Sequence, residues 1–229
     1  MGFKNHELYI QQNKKQFKGS FLEIGARDYG STVNLRCLFP NESYVGVDMS
    51  PGKGVDLVVD FTSPFDQIDA TLGGKRFNTI FCLSVLEHCD QPFLMAENIT
   101  RLLEPNGCLY VSVPHAWKFH GYPSDYWRFT PEGVKKLFPD LLFDESAARL
   151  TTDVVDDFRM IDEDLSRIRL KGSWFRKRGQ VLRSFSADLL TLLGYVGLFR
   201  WLTQHRYLIP PTTIEMIGYR NKPAVATYD

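Results

Sequence analysis

Three acidic residues stand in or at the end of short apolar runs: Glu23 within Phe21-Leu-Glu-Ile-Gly25, Asp48 closing Tyr44-Val-Gly-Val-Asp48, and Asp60 closing Val55-Asp-Leu-Val-Val-Asp60. Gly25 and Gly30 follow the first of them. A strand that ends in a glycine turn lets a ligand approach the backbone, and an acid on the next strand accepts the hydroxyls of a ribose. The pattern therefore points to recognition of a nucleoside. A glycine after a strand is by itself ordinary turn chemistry, and Asp48 alone is equally a solvated strand end. The three acids in sequence give the pattern its meaning. A dinucleotide site wants G-x-G-x-x-G here, whereas residues 25–30 read Gly-Ala-Arg-Asp-Tyr-Gly and fail at the middle glycine.

A second set of reactive side chains lies further along. His88 follows the apolar run Thr79–Val85, and His115 and His120 follow Cys108–Val113. An imidazole titrates near neutrality and is a natural proton acceptor; His88 is equally read as a hydrogen bond fixing a helix start. The loop Tyr122-Pro-Ser-Asp-Tyr-Trp-Arg-Phe129 gathers Tyr122, Asp125, Tyr126, Trp127 and Arg128. These residues form either core packing or a partly polar pocket wall, and rings beside charged groups suit a sugar. Cys37, Cys82, Cys89 and Cys108 show neither C-x-x-C pairing nor zinc-ligand spacing, so no metal site is expected and a reducing compartment fits.

These residues need a frame. Residues 3–18 read as a polar helix with a thin apolar stripe of Phe3, Leu8, Ile10 and Phe17. Strands are expected at about 20–24, 44–47, 57–59, 79–85 and 108–113, with helical segments through 35–38, from Pro92 to Leu103 and over Pro131–Phe138. Asp90 and Thr130 are the expected caps of the last two. Strands alternating with helices over short connections imply an α/β protein with a doubly wound parallel sheet. After residue 140 the pattern loosens: 141–150 reads as another strand and Thr213–Tyr219 as the last.

Between them, residues 151–211 read as a helical insertion. It is acidic first (Asp153, Asp156, Asp157, Asp162, Glu163, Asp164), then basic (Lys171, Arg176, Lys177, Arg178, Arg183), and leads into the apolar run Leu189–Leu202. That run is shorter than the roughly 20 residues a bilayer requires. Residues 171–206 therefore read as a lid, a homodimer contact or a peripheral membrane helix. The expected organisation is an N-terminal helix at 1–18, a core at 19–150 with 212–222, and the insertion at 151–211.

With 27 basic and 27 acidic residues the net charge is zero, which gives no reason to expect a general nucleic-acid binder. A hydrophobic content of 44% over 229 residues supports a sizeable core. The opening residues lack the apolar stretch of a signal peptide, and His6 stands where myristoylation wants Ser or Thr. A cytoplasmic protein is expected, peripheral at the inner membrane surface if 171–206 is interfacial.

Three blocks in order, Tyr44–Asp56, Ser84-Val-Leu-Glu-His88 and Tyr122–Pro131, make the chain resemble a class I S-adenosylmethionine-dependent methyltransferase of the methyltransferase-domain type, and especially bacterial glycan and small-molecule members. The resemblance covers roughly residues 19–140. It implies a Rossmann-like sheet with an antiparallel last strand and S-adenosylmethionine as cofactor. Around that cofactor it places Glu23, Gly25, Ala26, Arg27, Gly30, Asp48, Met49, Asp60, Phe61, Leu83 and Ser84. Glu23 and Gly25 match the first motif beside the methionine part, and Asp48 the acid that holds both ribose hydroxyls. Asp60 with Phe61 matches the adenine site, and Leu83 with Ser84 the sulfonium side. The family's first motif is E/D-x-G-x-G-x-G, so Arg27 departs from it and is placed to reach the cofactor carboxylate. Methyl transfer is an in-line displacement that needs alignment and, for a hydroxyl acceptor, removal of a proton. His120, His88 and His115 are the candidate bases, and Tyr122, Asp125, Tyr126, Trp127 and Arg128 the candidate acceptor contacts. The acceptor implied is a hydroxyl of a sugar, glycan or other small molecule. A quinone or lipid methyltransferase at the membrane surface, and a catalytically silent methyltransferase-like binding protein, are the alternatives.

Overall fold

Uniformly apolar runs bounded by turn residues become buried strands in the computed structural model, which describes residues 4–30, 33–121, 123–165, 167–197 and 207–220. The strands are β1 (Phe21–Ile24), β2 (Tyr44–Asp48), β3 (Leu57–Val58), β4 (Phe77–Leu83), β5 (Leu103–Ala116), β6 (Leu141–Phe143), β7 (Arg149–Thr152), β8 (Phe158–Met160), β9 (Ile168–Arg169), β10 (Tyr207–Leu208) and β11 (Thr212–Arg220). The helices are α1 (Lys4–Gln12), α2 (Phe65–Thr71), α3 (Pro92–Leu102), α4 (Pro131–Leu137), α5 (Gly172–Arg176) and α6 (Val181–Tyr195). The main sheet runs β3-β2-β1-β4-β5-β11-β7-β8, with β6 also on β11. Its first five strands are parallel, and β11 runs antiparallel beside β5, as the resemblance implies. The order reverses between β1 and β4, so their carboxyl ends diverge into a crevice.

The core is aromatic. Tyr9 stacks on Tyr110 at 4.7 Å between ring centroids, and Phe17, Phe21 and Phe39 close around Phe81. Of the expected apolar stripe Ile10 and Phe17 are buried, Leu8 is partly exposed and Phe3 lies outside the described residues; the buried face of α1 also presents Asn5, His6 and Tyr9. Polar groups can be buried there because each finds a partner. Asn5 Nδ2 donates to the Thr152 and Val154 carbonyls at 3.0 and 2.9 Å, and the Tyr9 hydroxyl to the Ala147 carbonyl at 2.9 Å.

Local signals succeed unevenly. Thr130 caps α4, its Oγ1 accepting from Gly133 N at 3.0 Å. The cap position of α3 is Gln91 rather than Asp90 and makes no side-chain bond, so Pro92 at the first turn sets the start. The segment at 35–38 is a single 3-10 turn, and α2 is a helix the apolar pattern does not announce.

The chain divides into two units, Met1–Met160 with Pro211–Asp229, and Ile161–Pro210. The second therefore begins at residue 161 rather than 151, because β7 and β8 add antiparallel strands to the main sheet. Nor is it wholly helical: β9 and β10 pair within it. Its acidic and basic halves meet at Asp164, which accepts from Trp174 Nε1 and Arg178 Nη2, both at 3.1 Å, and pairs with Arg167 and Arg169. Residues 198–206 of the expected apolar segment lie outside the described residues.

Candidate active site

The carboxyl ends of β1, β2 and β4 and the turn after β3 open on one cavity of about 840 Å³, lined entirely by the first unit. Glu23, Gly25, Arg27, Asp48, Met49, Asp60, Phe61, Leu83 and Ser84 line it. Ala26 and Gly30 do not. Gly25 holds φ +80°, and a Cβ there would stand 2.5 Å from Val85 Cγ2. Its amide and that of Ala26 both donate to the Val47 carbonyl, at 2.9 and 3.0 Å, which ties the turn to β2. Glycine is thus required on both conformational and steric grounds. Ala26 packs beneath the chain, where a Cβ on Gly54 (φ +90°) would meet its carbonyl oxygen at 2.5 Å.

The acids differ in surroundings. The Glu23 carboxylate is buried and accepts from the Tyr44 hydroxyl at 2.6 Å; burial pushes its pKa up. Asp48 Oδ1 accepts from Ser50 N at 3.0 Å. Asp60 Oδ1 takes both Thr62 N at 2.8 Å and Thr62 Oγ1 at 2.6 Å. For Asp48 and Asp60 a local turn fixes the carboxylate's direction at the cavity wall. The Arg27 guanidinium stacks on Tyr29 at 5.0 Å. Ser84 holds φ 55°, a left-handed conformation uncommon outside glycine.

Glu87, His88 and His120 line the same cavity. His88 Nδ1 is 2.5 Å from the Ser124 carbonyl oxygen. His120 Nδ1 is 3.2 Å from the Lys118 carbonyl oxygen and 3.3 Å from Asp125 Oδ2. Those partners only accept, so Nδ1 carries the hydrogen in both rings and Nε2 keeps a lone pair. The rings cross edge to face at 5.0 Å. Burial lowers the His88 pKa, favouring the neutral imidazole, and pushes that of Glu87 up to about 8. Glu87 Oε2 has no hydrogen-bond partner among the described residues.

His115 does not line the cavity; its Nδ1 faces the Phe129 carbonyl at 2.8 Å. The expected acceptor contacts also need correction. Asp125, Tyr126, Trp127 and Arg128 are absent from the wall, and Tyr122 lies outside the described residues. The Asp125 carboxylate is fully enclosed and accepts from Arg128 Nη1 at 2.5 Å and Nη2 at 2.7 Å, and from His120 N at 2.8 Å. Arg128 holds its pKa well below the usual range. Tyr126 N and Trp127 N donate to the Glu87 carbonyl, and Trp127 Nε1 to that of Cys89 at 2.7 Å. These residues pin the loop over Glu87 and His88, and the loop offers Trp117, His120, Gly121 and Pro123 to the cavity instead.

Among the lining residues that were not expected are Glu87, His6 and Thr213. Glu87 sits inside a recognised block but among apolar neighbours. His6, whose Nε2 is 2.9 Å from Ser112 Oγ, and Thr213 come from distant segments, and no local pattern marks them.

A model of the methyltransferase domain family matches residues 8–193. Among solved structures, a SAM-dependent methyltransferase from Archaeoglobus fulgidus is 15% identical, covers 94% of each chain and superposes with a TM-score of 0.52. One from Anabaena variabilis is 11% identical over 95% of this chain and 84% of its own, at 0.53. A putative methyltransferase from Bacillus halodurans is 11% identical over 93% of this chain and 99% of its own, at 0.52. At such identities the likeness is one of fold. No curated protein matches the sequence.

Proposed function

This chain belongs to the methyltransferase domain family, and from that premise we propose that it transfers the methyl group of S-adenosylmethionine to a hydroxyl of a sugar, glycan or other small molecule. One observation carries the reading. A single cavity joins two strand-end carboxylates, suited to ribose and adenine, to a pair of imidazoles whose Nε2 lone pairs are free to take a proton. Its volume of about 840 Å³ lies toward the upper end of small-molecule sites, roughly 300–1,000 Å³, as a reaction between two bound ligands requires. Asp48 takes the ribose, Asp60 with Phe61 the adenine, and Ser84 borders the sulfonium. His120, oriented by Asp125, and His88 are the proton acceptors. His115 is outside this role.

Calorimetric titration with S-adenosylhomocysteine tests the donor side. Wild type should bind one equivalent, and Asp48→Ala should weaken it at least about tenfold, the cost of an unpaired polar group in a nucleoside site. Absence of binding, or unchanged affinity in the variant, rejects the proposal.

A second reading rests on α6. Leu182, Phe185, Leu189, Leu192 and Val196 recur at helical spacing and are all more than half exposed. Lys177 and Arg183 lie near its start, while Arg176 pairs with Asp188 and Arg178 with Asp164. No helix among the described residues is long and apolar enough to cross a membrane. Such a helix suits the plane of a lipid interface, which would make the acceptor lipid-linked or quinone-like. The protein should then float with anionic liposomes, and Leu182→Glu with Phe185→Glu should stop it. A wild type that stays at the bottom of the gradient removes this reading.

A further inference from the structure

We propose that Glu87, His88 and His120 form a divalent-metal site, open toward the cavity, that holds a transition-metal ion such as zinc or manganese against an oxygen of the methyl acceptor. The ligand-capable atoms of the three residues lie within 4.8 Å of one another. A point therefore exists within about 2.8 Å of all three, and small side-chain shifts of under about 1 Å would bring them to the 2.0–2.2 Å of metal–nitrogen and metal–oxygen bonds.

Three independent features fit a metal. Glu87 Oε2 is a buried carboxylate oxygen with no hydrogen-bond partner among the described residues, and its residue is 1% exposed. Buried carboxylates otherwise find donors, and a cation satisfies this one. Both histidines also carry the outer contacts of metal-bound imidazoles: Nδ1–H is turned to the Ser124 carbonyl in one, and to the Lys118 carbonyl and Asp125 carboxylate in the other. That arrangement fixes the ring and leaves Nε2 to ligate. Finally, three protein ligands facing a cavity leave coordination positions open, as in catalytic rather than structural sites. Two imidazole nitrogens suit zinc or iron, whereas magnesium and calcium prefer all-oxygen shells. No local pattern marks this set, because Glu87 and His88 are adjacent while His120 arrives from the loop after β5.

The role of the ion rests on the methyl-transfer reading; its binding does not. Coordination acidifies the acceptor hydroxyl, whose O–H bond breaks and whose proton passes to water in the cavity. The metal-bound oxygen then forms the O–CH3 bond as the S–CH3 bond breaks, its electron pair returning to sulfur to leave neutral S-adenosylhomocysteine. With the ion bound, the imidazoles serve as ligands and coordination replaces them in activating the hydroxyl.

The full chain, stripped with chelator, is titrated calorimetrically with zinc chloride and with manganese chloride, and in parallel with S-adenosylhomocysteine. One ion per chain should bind. His120→Ala and the isosteric Glu87→Gln should each weaken it at least tenfold while leaving S-adenosylhomocysteine affinity unchanged, which also certifies folding. The inference is overturned if no ion binds, or if both variants bind it as wild type does and the ion therefore sits elsewhere, while S-adenosylhomocysteine still binds. Ion binding that the variants weaken, in a protein that ignores S-adenosylhomocysteine, upholds the metal site and rejects the methyl-transfer reading instead.

Discussion

Ser84 adopts φ 55° at the point where β4 delivers the chain to the cavity. A left-handed conformation costs a non-glycine residue about 1 kcal/mol, and such costs gather where function needs the geometry. Its amide donates to the Ser112 carbonyl at 2.9 Å, which holds the bend. Ser84→Gly should therefore raise the melting temperature by a few degrees, since the local strain disappears, while weakening S-adenosylhomocysteine. Scanning calorimetry checks the first outcome, and a lower melting temperature means the serine is not strained. At this scale legibility followed locality. Gly25, Asp48 and Asp60, which line the cavity, were readable as candidates because strand-end position and chain spacing mark them. Glu87 was not, because its character comes from burial under a loop more than 30 residues later, which lifts its pKa to about 8.

Among the elements, the second unit depends on one carboxylate. The Trp174 indole N–H first, and then the Arg169 and Arg167 guanidinium groups, hold the Asp164 pKa down to about 2. A depressed carboxylate stabilises the folded state above its unfolded pKa of about 3.9, and that contribution is lost as pH falls through the folded value. Asp164→Asn should accordingly destabilise this unit by a constant amount from neutrality down to about pH 4, with the difference closing toward pH 2. Urea unfolding followed by tryptophan fluorescence would show this, and a difference that grows on acidification contradicts it. Element types along the sheet were legible because parallel strands are apolar throughout, and the cap at Thr130 because it uses adjacent residues. The boundary at residue 161 was not: β7 and β8 are four and three residues long, too short for alternation to show, and become strands only because β7 pairs onto β11 and β8 onto β7.

For the whole molecule, every residue lining the cavity belongs to the first unit, although that unit is interrupted by Ile161–Pro210. Met160 ends β8 opposite Arg149, which pairs with Glu215, while β11 begins at Thr212. The cut ends, Met160 and Pro211, are thus two strand spacings and about four residues apart, about 16 Å, a gap that about eight glycine and serine residues span. A chain with residues 161–210 replaced by such a linker should fold and bind S-adenosylhomocysteine as wild type does, and loss of that binding in calorimetry would make the second unit part of the donor site. The cavity also draws on both ends of the chain. His6 stands on α1 and Thr213 on β11, and Asn5 reaches the carbonyls of Thr152 and Val154. During translation Asp48 and Asp60 emerge early, while the flank of β5 waits for the antiparallel neighbour made about a hundred residues later. Until that neighbour arrives, the nascent protein carries a long unpaired apolar edge, the kind of surface that invites aggregation or chaperone capture. Synonymous codons that lengthen the interval between making β5 and making β11 should therefore lower the yield in a cell without altering a single side chain.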